Sequence, residues 1–255
     1  MSLRKIIKSK FFGKVMFQSI FRRLFDIAIE GMNIGVGGRN IRESGEEYII
    51  KNLLSKEINP VIFDVGAQGG EYVDSILHNN NKASIYAFEP CLRDFQTLEK
   101  HFVNQRIKLL NIAFGEKIGT ETLYFPQNVS GLSSFFKDSS EKGLSEIVKM
   151  DTIDNFCRSN NIKYVTLLKL DTEGYELSCL KGSREMLQKI KYVQFEMSLG
   201  SRNARAYFKD IFDLLKDYKI YRILRDGLTE IKYPDKLSEL LFTTNYFAIR
   251  KSSEI

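Results

Sequence analysis

The sequence predicts an α/β fold: a mostly parallel sheet with helices on both faces and an antiparallel hairpin at one edge. Three observations carry this expectation. From residue 61 onward, short apolar runs alternate with helical patterns, which implies crossover connections and parallel pairing. The first run, Val61-Ile62-Phe63-Asp64-Val65, ends in a turn rich in glycine. Later runs end in polar or acidic residues, and the carboxyl ends of strands are where open α/β sheets bind ligands.

The elements follow in order. Residues 1–45 are expected as a basic amphipathic helical extension and residues 46–255 as the main domain. Arg4, Lys5, Lys8, Lys10, Lys14, Arg22 and Arg23 all precede the first acid, Asp26, and apolar residues such as Phe11, Phe12, Ile20 and Phe25 lie between them. Lysines interrupt every apolar stretch, so this is no secretory signal. Two readings stay open: a helix docked through residues 1–30 on an anionic membrane surface, or a packing helix with a basic outer face. In the main domain, residues 61–65, 83–88 and 107–113 read as strands. Helices over 71–78 and 92–102 lie between them. Residues 115–146 break the rhythm with Gly119, Pro126, Gly131 and several serines, and read as an excursion with a small strand at 122–125 and a mobile loop. Strands then recur at 164–170, 192–197, 220–224 and 243–249, with helices at 176–190 and 204–215. The last two strands are expected to form the edge hairpin.

Composition narrows the chemistry. The chain has 255 residues, 43% hydrophobic and 27% charged, with a formal charge of +6. These values describe an ordinary globular protein with no membrane-spanning run. The three cysteines, Cys91, Cys157 and Cys179, lack Cys-x-x-Cys spacing and read as reduced thiols, which places the chain in a cytoplasm. The two histidines, His78 and His101, fall on polar helix faces. Histidine-based triads and metal sites are therefore not expected. No nucleic-acid motif accompanies the basic charge.

The turn after the first strand offers close backbone approach and free helix N–H groups to a ligand. Asp64 is placed to fix the turn, and Gly66 and Gly70 stand where a side chain would block the ligand. Ala67 and Gln68 between Gly66 and Gly69 break the dinucleotide spacing, and no phosphate-binding lysine loop is present. Glu89, with Pro90 at the end of the second strand, can accept hydrogen bonds from vicinal ribose hydroxyls. The competing reading is an acid favoured by a helix N-terminus. The third strand ends near Ala113 and Phe114, where an adenine ring could be sandwiched. The fourth ends in Lys169-Leu170-Asp171-Thr172-Glu173-Gly174-Tyr175-Glu176. Glu176 reads as a first-turn helix acid, whereas Asp171, Glu173 and Lys169 are candidates for the cleft. Glu196 ends the next strand and could join the same site. A carboxylate cluster can hold a divalent ion, but nothing in this spacing demands a metal.

These residues resemble the FkbM family of methyltransferases over roughly residues 59–250. The resemblance rests on the stretch from Phe63 to Gly70, on Ala87-Phe88-Glu89-Pro90, on Asn111-Ile112-Ala113-Phe114-Gly115, and on Met150-Asp151-Thr152-Ile153-Asp154. It continues with the stretch from Leu168 to Glu176, then Leu180-Lys181-Gly182 and Asn245-Tyr246-Phe247-Ala248-Ile249. Gln68 departs from the family's usual Asn but keeps the amide. The resemblance implies a Rossmann-like class I methyltransferase fold, seven strands in the order 3-2-1-4-5-7-6, with S-adenosyl-L-methionine as cofactor. It also implies an oxygen acceptor, such as a sugar hydroxyl of a glycan or glycolipid. Asp64, Gly66, Ala67, Gln68, Gly70, Glu89, Pro90, Ala113 and Phe114 are then expected to hold the cofactor. Asp171 is expected to bind or deprotonate the acceptor hydroxyl, with Glu173 and Lys169 beside it. Ser133 and Ser134 belong to a loop expected to close over the site. Two alternatives remain: a nucleotide-sugar or dinucleotide oxidoreductase, and a non-catalytic membrane-associated scaffold.

Overall fold

A computed structural model describes residues 10–103, 106–126, 133–136, 143–240 and 242–253. Residues 1–9 of the basic segment, and parts of the expected loop at 127–132 and 137–142, lie outside the described residues. In chain order the helices are α1 (Gln18–Gly31), α2 (Ile41–Ser44), α3 (Glu46–Asn52), α4 (Glu71–Asn79), α5 (Leu92–His101), α6 (Ile153–Ser159), α7 (Glu176–Lys181), α8 (Leu199–Asn203) and α9 (Phe208–Leu214). The strands are β1 (Val61–Val65), β2 (Ser84–Phe88), β3 (Ile107–Leu110), β4 (Ala113–Phe114), β5 (Gly119–Pro126), β6 (Gly143–Asp151), β7 (Val165–Leu170), β8 (Ile190–Met197), β9 (Tyr218–Leu224), β10 (Gly227–Glu230) and β11 (Thr244–Arg250).

The main sheet runs β10-β9-β11-β8-β7-β1-β2-β3. Its last seven strands stand in the expected order, and β10 adds an eighth at the edge, hairpinned to β9. β1 pairs in parallel with β2 and β7, whereas β11 is antiparallel to both β8 and β9. Successive side chains of a strand point to opposite faces. Ile62, Ile85 and Leu167 accordingly meet α3, α4 and α5 through Ile49, Val73, Ile76 and Leu98. Phe63, Val65, Phe88 and Leu168 meet α6, α7 and α9 through Phe156, Leu180 and Ile211 on the other face. The rings of Phe63, Phe88, Phe114 and Phe156 pack edge to face with centroids 4.7–5.8 Å apart. Such a rigid aromatic block stiffens the sheet beneath the strand ends.

Four expectations about the elements change. The strand expected at 107–113 is two strands, because Asn111 leaves the ladder and donates its amide to Glu89 O and Pro90 O, both at 2.9 Å. β4 then joins a second, three-stranded sheet, β4-β6-β5. The excursion thus contains an eight-pair antiparallel ribbon rather than one small strand. Its strands were hard to read because they are largely exposed on both faces: Leu144 and Ile147 of β6 face solvent, and burial begins only at Val148 and Met150. The helix expected at 176–190 stops at Lys181. A Cβ on Gly182 would sit 2.0 Å from Gly115 O, and this close crossing ends the helix. The helix expected at 204–215 begins only at Phe208, after Arg205 turns the chain with a φ of 53°.

Helix α1, in which Arg22 and Arg23 are balanced by Asp26 and Glu30, buries Ile29 alone. Val15, Met16, Ile20, Leu24, Phe25 and Ile27 are exposed, as are Lys10, Lys14, Arg22 and Arg23. Among the described residues, no helix is long and apolar enough to cross a membrane. The chain after α1 packs into the domain through Ile34 and Val36. Cys91, Cys157 and Cys179 are buried and unpaired.

Candidate functional site

The site begins at the carboxyl end of β1. Gly66 N and Ala67 N both donate to Phe88 O, which ties the turn to β2. Gly66 has φ 84°, and a Cβ there would lie 1.9 Å from Asp171 O. Gly70 has φ 87°, and its Cβ would strike the Phe102 ring at 2.5 Å. Close protein packing and left-handed backbone therefore require these glycines, rather than space for a ligand. Gln68 adopts φ 47° and aims its N–H at Glu89 Oε2, 3.0 Å away.

Glu89 is buried at the end of β2 and also accepts from Cys91 N at 2.9 Å. Burial pushes its carboxyl up to about 7, against the pull of the two backbone donors. Gly66, Gln68, Glu89, Pro90, Ala113 and Phe114 line one cleft of about 470 Å³, together with Asp171 and Glu173. Sequence reasoning missed Asp94, Leu123, Phe135 and Thr172 on its wall. Asp94 was discoverable as a first-turn acid of α5, whereas Leu123 and Phe135 come from the excursion. Ser133 lines this cleft too, and Ser134 pairs with Tyr124 and donates its hydroxyl to Glu173 O. Phe135 packs on Tyr175 with centroids 4.4 Å apart. The excursion is thus fastened to the β7 loop at this point.

A second cleft of about 1050 Å³ shares Gly66, Gln68, Asp171 and Glu173 with the first. Ala67, Gly70 and Lys169 line this one and not the first, as do Glu46, Tyr72 and Glu196. Part of its wall, from Gly37 to Arg39, comes from the chain that follows α1. No motif marked those residues. Gly37 N donates to Thr243 O, and a Cβ on Gly37 would lie 2.9 Å from Glu196 Oε1.

Lys169 is the buried cation of the second cleft. Its ammonium lies 3.1 Å from Asp64 Oδ1 and 3.3 Å from Asp171 Oδ2, over the Tyr72 ring. Burial opposes the Lys169 charge, but Asp64, Asp171, Glu46 and Tyr72 outweigh it and hold its pKa well above the usual value. Asp64 lines neither cleft. It is fully buried against Lys169 rather than bonded to the turn or facing the cofactor as expected, and among the described residues its Oδ2 has no hydrogen-bond partner. Glu46 accepts from Gln194 Nε2, and Gln194 Oε1 accepts from the Tyr72 hydroxyl. Burial raises the Glu46 carboxyl to about 7 despite Lys169. Glu176 serves the loop: it accepts from Thr172 N, Thr172 Oγ1 and Gly174 N. Glu173, at φ 51°, is pushed up to about 8 by burial and by Asp171 and Glu176. Burial, then Asp171, Glu173, Glu176 and Glu46, raise Glu196 far above the ordinary carboxyl value.

The donor set of the first cleft suits a nucleoside. It has a carboxylate, Glu89, able to accept from ribose hydroxyls, and flat apolar walls at Phe114 and Phe135. The second cleft is deeper in carboxylates and suits a polar molecule with hydroxyl groups. Their shared lip at Asp171 and Glu173 is where groups bound on the two sides would meet.

A family model described as the methyltransferase FkbM domain matches residues 64–221. A hexuronic acid methyltransferase, AglP, of Haloferax volcanii is 26% identical over 177 residues, covering 69% of this chain and 70% of its own. A 2-O-methyltransferase, NoeI, of Sinorhizobium fredii is 25% identical over 189 residues, covering 67% and 76%. Among solved structures, the precorrin-6y C5,15-methyltransferase of Geobacter metallireducens aligns with a TM-score of 0.43 at 9% identity, covering 87% of this chain and 97% of its own.

Proposed function

The chain belongs to the FkbM family of S-adenosylmethionine-dependent methyltransferases, and from that premise we propose that it methylates a hydroxyl of a sugar in a glycan or glycolipid. The observation that carries this reading is the pair of clefts meeting at Gly66, Gln68, Asp171 and Glu173. The names of the two relatives, one for a hexuronic acid and one for 2-O-methylation, support a sugar oxygen as acceptor.

Bound S-adenosylmethionine supplies an electrophilic methyl group for in-line displacement. The chain's own residues provide alignment and proton removal, which is most of what such a reaction asks of a protein. Glu89, Gln68 and Phe114 hold the nucleoside half in the first cleft. Asp64 fixes Lys169, and Lys169 in turn holds Asp171 toward the second cleft. There Asp171 accepts the hydrogen bond of the acceptor hydroxyl and then its proton, with Glu173 beside it. Gly66 and Gly70 act by shaping the turn, and Ala67 reaches the acceptor side.

Residues 1–45 form the appendage in this reading and 46–255 the transferase domain. Gly37 and Arg39 are the points at which the appendage joins the cleft wall. The exposed apolar residues of α1, together with the lysines and arginine that precede it in sequence, support a peripheral contact with an anionic membrane, with the enzyme on the cytoplasmic side.

Calorimetric titration with S-adenosylmethionine, followed by methyl transfer to uronic-acid and neutral glycosides, tests the function. Asp171→Asn is expected to retain cofactor binding while turnover falls by about 10²-fold or more. A folded protein that ignores S-adenosylmethionine, or an Asp171→Asn variant with full turnover, contradicts the reading.

A further inference from the structure

We infer that Asp171, Glu173 and Glu196 form a binding site for one hard divalent cation, such as Mg²⁺, Mn²⁺ or Ca²⁺, in the second cleft. A ligand oxygen from each of the three lies within 4.8 Å of the others. These residues come from the ends of two neighbouring strands and from the loop after β7. With small side-chain adjustments the three oxygens can converge on a single ion, since such cations take carboxylate oxygens at about 2.0–2.6 Å.

A second observation concerns Glu196. It is 6% exposed, faces this cleft, and has no hydrogen bond or ion pair for its carboxylate among the described residues. A buried carboxylate without a partner is costly, and it is found where a proton, a cation or a ligand completes it. The neighbouring groups do not complete it. The Lys169 ammonium is engaged by Asp64 and Asp171. Glu176 is used by the backbone of its own loop. Glu46 bonds to Gln194 and Ser44. Gly37 packs against Glu196 Oε1 so closely that a Cβ there would lie 2.9 Å away, and its backbone supplies that oxygen with no hydrogen bond among the described residues. Around Glu196, then, lie four further acids, Asp171, Glu173, Glu176 and Glu46, and the buried lysine of the cleft is engaged by Asp64 and Asp171.

Three monodentate carboxylates leave open positions on a six-coordinate ion. Two neighbouring hydroxyls of a sugar fit such positions, because their oxygens can chelate one cation. The ion would therefore select acceptors with vicinal hydroxyls and hold the reacting oxygen at the lip shared by both clefts. This role rests on the methyl-transfer reading above, whereas cation binding itself does not.

The test is titration of the full chain, without cofactor or acceptor, with Mn²⁺ followed by electron paramagnetic resonance. One ion per chain is expected, displaced by Mg²⁺ or Ca²⁺. Affinity should fall by about tenfold or more in Glu196→Gln and separately in Glu173→Gln, because each removes one charged ligand. Glu173 sits on a half-buried turn, so its variant reports even if Glu196→Gln misfolds by circular dichroism. Absence of stoichiometric Mn²⁺ binding, or equal binding by folded Glu173→Gln, overturns the site. If Mn²⁺ does not bind while S-adenosylmethionine binding and sugar methylation persist, the cation proposal alone fails.

Discussion

Single residues set the chemistry through burial. Glu89 shows how: its carboxyl is withdrawn from water and given only two backbone donors, so it titrates near 7 instead of near 4.5. A raised acid favours the folded protein below its ordinary pKa, and that contribution is lost as pH rises through about 7. Accepting ribose hydroxyls requires the ionised form. S-adenosylmethionine affinity is therefore expected to increase as pH rises from 6 to 8 and to level off above. In Glu89→Gln the slope should vanish, with affinity at pH 8 lower by about tenfold, as for a lost hydrogen bond to a charged group. Calorimetry at several pH values measures both. A flat wild-type profile would count against Glu89 as the ribose acceptor. Lys169 illustrates the opposite balance, where several acids outweigh burial and keep a cation inside the protein.

At the scale of elements, the small sheet β4-β6-β5 decides the shape of the first cleft. Its own core is slight: Cys91, Ala113, Leu123, Val148 and Met150, with Phe125, Phe135 and Tyr175 against it. Leu123 is 1% exposed in this cluster and lines the cleft as well. Leu123→Ala should cost about 2–5 kcal/mol of local stability, the usual range for a buried leucine. Because the cluster is separate from the two larger cores, the loss should appear as faster hydrogen exchange across 119–126 and 143–151. Exchange in β1, β2 and β7 should remain slow. Weaker S-adenosylmethionine binding should accompany it, and uniform protection throughout would show that the ribbon is stabilised by something else.

For the whole molecule, the relation of α1 to the second cleft is the main question. Glu30 at the end of α1 holds Arg39 at 2.7 Å, and Arg39 lines the cleft. A membrane contact through α1 would set the acceptor cleft close to the bilayer, within reach of a sugar carried on a lipid. Each lysine or arginine near an anionic surface contributes about 1 kcal/mol. Removal of residues 1–30 should therefore lower co-sedimentation with phosphatidylcholine vesicles containing phosphatidylglycerol by about tenfold or more. Half-molar salt should weaken the intact chain in the same direction. Equal partitioning of the two forms would remove the membrane role from α1.

The sequence by itself determined the layered architecture. Apolar runs of strand length alternating with helical faces specify a parallel sheet, and Asp64, Glu89 and Asp171 fall at the strand ends where such sheets bind ligands. These signals are local, since they depend on side-chain period and on turn residues next to them in the chain. Three features were decided only by the tertiary structure. The ribbon β5-β6 buries one side of half a strand, so its alternation is too weak to see. The wall supplied by Gly37 and Arg39 lies far from the motifs and reaches the cleft because β11 brings Thr243 beside it. Glu196 was legible as a strand-end acid that could join the site, but how near its carboxylate comes to Asp171 and Glu173 is set by β8 running parallel to β7, with Leu170 opposite Phe195. Register across a sheet sets such distances, and register is a property of the packed strands rather than of either segment alone.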